Sequence, residues 1–306
     1  MIRNFLNRLP IPAGCVALGL IGLGTLLSSY SRLFLSLFGG LSFVIQICVL
    51  LKLATPEGLR SLAADLISLS TFAGTSMAMM LTAVPMRTVP PFLAAASYWA
   101  AGLLLHLALM VFFSVKLLRE RVRSKDVRGS WLLVYVGIAA AAISAPAFSM
   151  ESVCGVLLIP AALGTVILLP LVWRADRLTS IPQAQRPLFC ITAAPVSIWL
   201  VGYLSSAPHP SAKLVLILLI LGQLLYLPAL LRFLCSFRAP FSPSFAAFTF
   251  PFVIAATACK KAVAFLTVTG PMRILILLET ASALVLCCFV AWKYCRFLSA
   301  QAKAGD

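Results

Sequence analysis

The chain alternates between long apolar stretches and short polar connections along almost its whole length. A helix needs roughly 20 apolar residues to cross the hydrocarbon of a bilayer. Ten stretches approach that length, centred on residues 12–29, 33–50, 67–84, 98–115, 131–148, 155–172, 188–205, 214–231, 241–258 and 274–291. The pattern predicts an all-α integral membrane protein with ten transmembrane helices, in a single transmembrane domain over residues 1–306.

The ten predicted spans alternate in the size of their side chains. Gly, Ala, Ser, Thr and Pro fill 47 of 90 positions in the odd-numbered spans but only 24 of 90 in the even-numbered spans. Small residues allow helix backbones to approach closely, and their hydroxyls can line a polar path. We therefore predict five helix hairpins, in which the odd helices form an inner pore ring and the even helices form an outer ring. The alternative is that the small residues only pack the bundle.

The same counts bear on a second architecture with ten spans, which is built from two inverted five-span halves. In that arrangement the sixth, eighth and tenth spans should resemble the first, third and fifth. The sixth, eighth and tenth spans hold 7, 3 and 5 small residues, whereas the first, third and fifth hold 10, 10 and 9. The difference disfavours inverted halves.

Composition excludes a water-soluble globular protein, because 62% of the residues are apolar and only 10% are charged. Soluble domains carry about a quarter charged residues. The net charge of +16 does not indicate a nucleic-acid partner, since no basic run is interleaved with aromatics. The lipid bilayer is the expected surrounding of this chain.

The basic residues set the expected topology. With the N-terminus inside, 18 of the 24 Lys and Arg residues fall on inside segments and 6 on outside segments. The positive-inside rule therefore predicts that both termini of this multi-pass protein lie in the cytoplasm. The expected location is the plasma (inner) membrane. The outside segments also carry net positive charge, and positive charge at both mouths would concentrate anions.

Residues that could carry catalysis are sparse. The chain has two histidines, no C-x-x-C pair among its nine cysteines, no paired aspartates and no phosphate-binding glycine loop. We therefore expect a protein that is not an enzyme, with no catalytic residue, no metal site and no cofactor. Ionisable residues inside a membrane are functional candidates by default. His106 and Glu279 are such residues, and Glu279 is a candidate for proton coupling or, alternatively, a buried hydrogen-bonded or interfacial acid.

The ninth span crowds four phenylalanines around a proline in the span richest in small residues: Phe245-Ala246-Ala247-Phe248-Thr249-Phe250-Pro251-Phe252. A bulky ring among small neighbours can close a narrow pore as a hydrophobic gate, although ordinary packing would produce the same composition. Prolines also interrupt the fifth and seventh spans. The predicted pore-lining residues are Gly14, Gly22, Thr75, Ala142, Pro146, Ala194, Pro195, Phe248, Thr249 and Pro251.

Three short motifs resemble the tellurite-resistance/dicarboxylate transporter family, which includes the plant slow anion channels. They are Leu9-Pro10-Ile11-Pro12-Ala13-Gly14 with Gly19 and Gly22, Arg186 with Ala194-Pro195 and Gly202-Tyr203-Leu204, and Ala247-Phe248-Thr249-Phe250-Pro251. The resemblance implies a homotrimer in which five inner helices of each protomer form a pore. It also implies that the phenylalanine at position 250 closes that pore. Members of the family pass chloride, nitrate, sulfite, tellurite or dicarboxylates.

Together these observations favour an anion channel or facilitator for small inorganic or organic anions, with Phe250 as its gate. The first alternative is a proton-coupled carrier of C4-dicarboxylate or tellurite-type anions, in which Glu279 takes part. A second alternative is a membrane scaffold without any flux.

Overall fold

The computed structural model of the protein describes residues 2–88, 91–121, 123–268 and 270–303, which form helices and no strand. The α-helices are α1 (Ile2–Arg8), α2 (Ala13–Leu27), α3 (Arg32–Leu53), α4 (Pro56–Ala64), α5 (Leu66–Met86), α6 (Phe92–Arg119), α7 (Trp131–Tyr135), α8 (Ala139–Ser144), α9 (Glu151–Val156), α10 (Leu158–Leu178), α11 (Ala194–Ser206), α12 (Ala212–Ser236), α13 (Phe250–Phe265) and α14 (Met272–Lys303). The 3₁₀ segments are Ser124–Asp126, Ala145–Phe148, Gln183–Ala193 and Pro243–Phe248.

Eight helical segments of the described chain are long and apolar enough to cross a membrane. They coincide with eight of the ten predicted spans, so the prediction of an all-α multi-pass membrane protein is confirmed. The first and fifth predicted spans contain shorter apolar helices, Ala13–Leu27 and Ala139–Phe148. Proline explains both, because it lacks a backbone N–H and interrupts the hydrogen bonding of a helix. Pro12 directly precedes α2, and Pro146 falls in the 3₁₀ turn that follows α8.

The long helices fall into two classes of burial. Only 22–33% of the apolar window is buried in α3, α6, α10, α12 and α14, whereas 72–78% is buried in α5 and in the segments that contain α11 and α13. Most residues of α2 are buried as well. Large aliphatic side chains cover the exposed faces of the first class, such as Leu104, Val166 and Leu231. These faces suit contact with lipid tails.

The buried segments contact one another in a closed order. Helix α2 packs on α5, α5 on α8, α8 on α11, α11 on α13, and α13 packs back on α2. The less buried helices lie against these segments, with α3 on α2, α6 on α5, α10 on α7, α12 on α11 and α14 on α13. The more buried segments in this order of contacts belong to odd predicted spans, and the less buried helices belong to even ones.

A buried polar cluster joins four of these helices. The amide nitrogen of Gln46 donates to the hydroxyls of Ser42 and Thr82, each at 2.8 Å. The hydroxyl of Tyr98 donates to the amide oxygen of Gln46 at 2.8 Å, and Ser42 donates to the carbonyl of Ala17 at 2.7 Å. Hydrogen bonds between helices are favourable where water is excluded. The cluster therefore fixes α2, α3, α5 and α6 relative to one another.

Candidate functional site

Two small cavities lie inside the buried segments, and Phe250 lines both of them. The first is lined by Pro12, Cys15, Leu18, Thr71, Leu133, Leu188, Ile191, Ser244, Ala246, Ala247, Phe250 and Pro251. The second is lined by Met77, Leu132, Leu133, Val136, Gly137, Ile191, Ala194, Pro195, Ile198 and Phe250. Every one of these residues belongs to an odd predicted span or to the turn just before it. Each cavity has a volume of about 10 Å³, roughly enough for one water molecule.

Three side chains are common to the two cavities. Leu133, Ile191 and Phe250 line both of them, and they come from the fifth, seventh and ninth predicted spans. All three are apolar and buried, and the Phe250 side chain is only 2% exposed. The side chains that the two cavities share therefore carry no polar group.

The backbone before α13 sets the position of the Phe250 ring. Thr249 joins the 3₁₀ segment to α13 with φ −98° and ψ −88°, outside the helical region. Its hydroxyl donates to the carbonyls of Cys15 at 3.1 Å and Ala246 at 2.8 Å. Pro251 is tolerated next to Phe250 because the first helical N–H groups have no acceptor within the helix. Phe250 is thus placed at the first position of a helix by a junction that is tied to α2.

Two glycines of α2 make room for this junction. A Cβ atom on Gly19 would lie 2.6 Å from the Thr249 hydroxyl oxygen and 3.1 Å from the Phe250 nitrogen. A Cβ atom on Gly22 would lie 3.0 Å from a Val253 methyl and 3.6 Å from the Phe250 ring. The backbone of α2 therefore packs directly against the residues that orient Phe250.

The four phenylalanines around Pro251 have different surroundings. The ring of Phe248 packs on Phe233 with centroids 5.1 Å apart, and the ring of Phe252 packs on Tyr226 at 5.4 Å. Phe245 also joins this aromatic cluster on α12 and α14. Among the described residues, no ring contact involves Phe250. Phe245, Phe248 and Phe252 are spaced by three and four residues, which is the spacing of residues on one face of a helix. This spacing is a signal in the sequence that distinguishes Phe250 from the other three phenylalanines.

The cavities bring together Phe250 and three of the predicted pore-lining residues, Ala194, Pro195 and Pro251. The other seven line neither cavity: Gly14, Gly22, Thr75, Ala142, Pro146, Phe248 and Thr249. Gly14 and Thr75 face each other where α2 meets α5, and Ala142 contacts Gly202 of α11. Leu133 and Ile191 were absent from the prediction, because a large aliphatic residue in an apolar span carries no distinguishing signal.

Glu279 lies away from the cavities, between α12, α13 and α14. Its side chain is 2% exposed, and Gln223 and Cys259 are beside the carboxyl. Neither carboxyl oxygen accepts a hydrogen bond of regular geometry. Cys259 is nine residues after Phe250 on α13, about two and a half helical turns, so the two residues point to opposite faces. Glu279 therefore contacts the face of α13 that is turned away from the cavities.

His106 has a hydrogen-bond partner at each ring nitrogen. Its Nδ1 lies 2.8 Å from the Ser76 hydroxyl, and its Nε2 lies 3.0 Å from the Val134 carbonyl. The ring is fully buried and joins α6 to α5 and α7. In the described part of the chain, no group of three His, Cys, Asp or Glu residues is arranged to hold a metal ion.

Two lysines lie near one end of the ring of buried segments. Lys260 and Lys261 belong to α13, which continues to Phe265, and so they lie deeper than the loop in which the predicted boundaries place them. The Lys260 ammonium donates to the Leu26 carbonyl at 3.2 Å, and the Lys261 ammonium lies 3.4 Å from the Ser205 hydroxyl. These contacts connect α13 to the ends of α2 and α11. They place two positive charges where the buried segments meet solvent.

Comparison with protein families supports the likeness found in the three short motifs. The family model SLAC1, described as a voltage-dependent anion channel, matches residues 9–298. This range contains all ten predicted spans. No curated protein matches the chain.

Proposed function

We propose that this chain, which belongs to the SLAC1 family of voltage-dependent anion channels, conducts small anions through a conduit enclosed by its five odd predicted spans. The family is one of anion transport across membranes and not of catalysis. One observation carries the proposal of a conduit. The two internal cavities are lined only by these five segments, and they share three apolar side chains.

The three apolar side chains that line both cavities support a hydrophobic gate at Phe250. An anion that passes between Leu133, Ile191 and Phe250 would have to lose water without gaining a polar partner, which opposes conduction. Movement of the Phe250 ring would join the two cavities. Because the walls carry no fixed charge, an anion inside the conduit would bind weakly and leave quickly. This chemistry suits a channel or facilitator that discriminates by size and dehydration cost.

Positive charge at both ends of the protein supports the choice of anions. Lys260 and Lys261 lie at one end. The opposite end carries the arginines of the connections 119–128, 174–186 and 232–238. Fields of one sign at both mouths raise the local concentration of anions and repel cations.

The wider arrangement is also part of this proposal. Ten membrane segments would form five hairpins in one domain over residues 1–306, as a homotrimer with a separate conduit in each protomer. The closed order of contacts among α2, α5, α8, α11 and α13 supports the hairpin arrangement. The charge distribution supports a cytoplasmic position of both termini, and the proposed location is the plasma (inner) membrane.

Ion-replacement recordings test the proposal. We expect the reversal potential of the purified protein in planar bilayers to follow the chloride gradient and to shift when nitrate replaces chloride on one side. Replacing potassium by a large cation should leave it unchanged, and protein-free bilayers are the control. A reversal potential that follows potassium would contradict anion conduction.

Glu279 favours a second candidate function, a proton-coupled carrier of C4-dicarboxylate or tellurite-type anions. A buried carboxyl whose oxygens accept no hydrogen bond of regular geometry is able to gain and lose a proton as its surroundings change. Coupling would have to act through α13, because Glu279 contacts the side of that helix opposite Phe250. Transport would then saturate with substrate and depend on a pH gradient.

The substitution Glu279→Gln separates the two candidates. In a channel, anion flux into liposomes should show no dependence on the pH gradient, in the wild type or in the variant. In a coupled carrier, the gradient should accelerate wild-type uptake about tenfold, an effect of roughly 1.4 kcal/mol, and the variant should lose that acceleration. Glu151→Gln, which changes an acid outside the buried helices, is the matched control.

A further inference from the structure

A groove with several arginines lies outside the ring of buried segments, at the end of the protein opposite Lys260. It has a volume of about 480 Å³ and is bounded by α10, α12 and the 3₁₀ segment Gln183–Ala193. We propose that this groove binds the phosphate of an anionic phospholipid, with the start of an acyl chain along its apolar wall.

The charges in the groove favour a phosphate. Arg177, Arg186 and Arg232 line it together with one carboxylate, Asp176, which forms an ion pair with Arg232. In the described part of the chain, Arg177 and Arg186 have no carboxylate within salt-bridge distance. The groove therefore holds two guanidinium groups that lack an anion. Guanidinium groups bind phosphate oxygens by paired hydrogen bonds.

Two of the three arginines, Arg177 and Arg232, stack on aromatic rings. The guanidinium of Arg232 lies 4.8 Å from the centre of the Phe189 ring, and that of Arg177 lies 5.6 Å from the Trp173 ring. Such stacking limits the freedom of long side chains, so less entropy is lost when a phosphate binds.

The position of the groove favours a lipid over a soluble anion. It is bounded by α10 and α12, two helices whose outer faces are covered with aliphatic side chains. Leu231 lines the groove and is 63% exposed, and Pro228 extends the same wall. A headgroup bound to the arginines would therefore place its acyl chain along a surface that already faces hydrocarbon. Basic pockets between transmembrane helices near the cytoplasmic surface bind anionic headgroups in this way.

Native mass spectrometry and thermal unfolding of the purified full-length protein test this site, with dioleoyl phosphatidylglycerol and dioleoyl phosphatidylcholine as probes. We expect phosphatidylglycerol to be retained and to raise the unfolding temperature, and phosphatidylcholine to do neither. The double variant Arg177→Gln/Arg186→Gln should bind phosphatidylglycerol about tenfold more weakly, since each basic group near a headgroup contributes several-fold to affinity. The matched control Arg174→Gln/Arg238→Gln removes equal charge from exposed positions outside the groove and should bind like the wild type.

Several results would overturn the site. Equal retention of the two lipids by the wild type would do so without any variant. Equal weakening in the groove variant and in the control would reduce the effect to general surface charge. Inorganic phosphate is the third probe. If it raises the unfolding temperature as phosphatidylglycerol does, and the groove variant abolishes that rise, the occupant is a soluble phosphate and the lipid proposal fails.

Discussion

Replacing Phe250 with Ala should raise anion conductance about tenfold, which corresponds to roughly 1.4 kcal/mol off the barrier to permeation. The reason is that Phe250 lines both internal cavities and is the largest of the three side chains that they share. Removing its ring would join the cavities and allow water to follow the anion. Single-channel or liposome-flux measurements on protein at matched surface expression would show the change.

Phe248 provides the matched control for this experiment. It is two residues away and equally buried, but its ring packs on Phe233 and lines neither cavity. Phe248→Ala should therefore cost stability, about 3–5 kcal/mol for a buried phenylalanine, without raising conductance. Phe248→Leu retains most of the volume if the alanine variant is poorly expressed. Wild-type current in well-expressed Phe250→Ala, or an equal rise in both variants, would refute the gate.

The substitution Gly19→Ala should destabilise the protein by about 1–3 kcal/mol, as is typical when a methyl group is forced into a packed interior. The new Cβ would lie 2.6 Å from the Thr249 hydroxyl oxygen and 3.1 Å from the Phe250 backbone nitrogen. Backbone atoms cannot move aside as a flexible side chain can. Either α2 or the junction before α13 must therefore shift. Thermal unfolding in detergent, read by a probe of tertiary structure, measures the effect.

Gly40 is the control for the Gly19 experiment, because a Cβ atom there would meet nothing within 4 Å. Gly40→Ala should be neutral or stabilising by up to ~1 kcal/mol, since alanine has the higher helix propensity. Combining Gly19→Ala with Thr249→Gly removes side-chain atoms that the new methyl would meet, so the two changes should cost less together than their sum. Equal stability of the Gly19 and Gly40 variants would show that α2 has room at Gly19.

The membrane fold was largely predictable from sequence. Length and apolar composition identify most spans, because crossing hydrocarbon imposes a length and a polarity on each helix. The first and fifth spans were less predictable, since Pro12 and Pro146 restrict helices whose apolar composition continues past them. The two classes of burial followed the counts of small residues, because close backbone contact and lipid contact require side chains of different size.

The candidate site was only partly predictable. Phe250 came from resemblance to a family, and its separation from Phe245, Phe248 and Phe252 also follows from helical spacing. The sequence shows that the lysines of α13 and the arginines of the groove carry positive charge, but it does not show which groups they contact or where they lie in the fold.

The sequence by itself determined that the chain is helical, spans a membrane many times and has small-sided segments suited to the interior. Only the tertiary structure decided which side chains line the two internal cavities. Leu133, Ile191 and Phe250 come from segments far apart in the chain and meet there. The non-helical junction at Thr249 and the close approach of the α2 backbone at Gly19 position the Phe250 ring among these side chains. Apolar residues are chemically alike, so their pattern along one helix cannot reveal which distant partner each will contact.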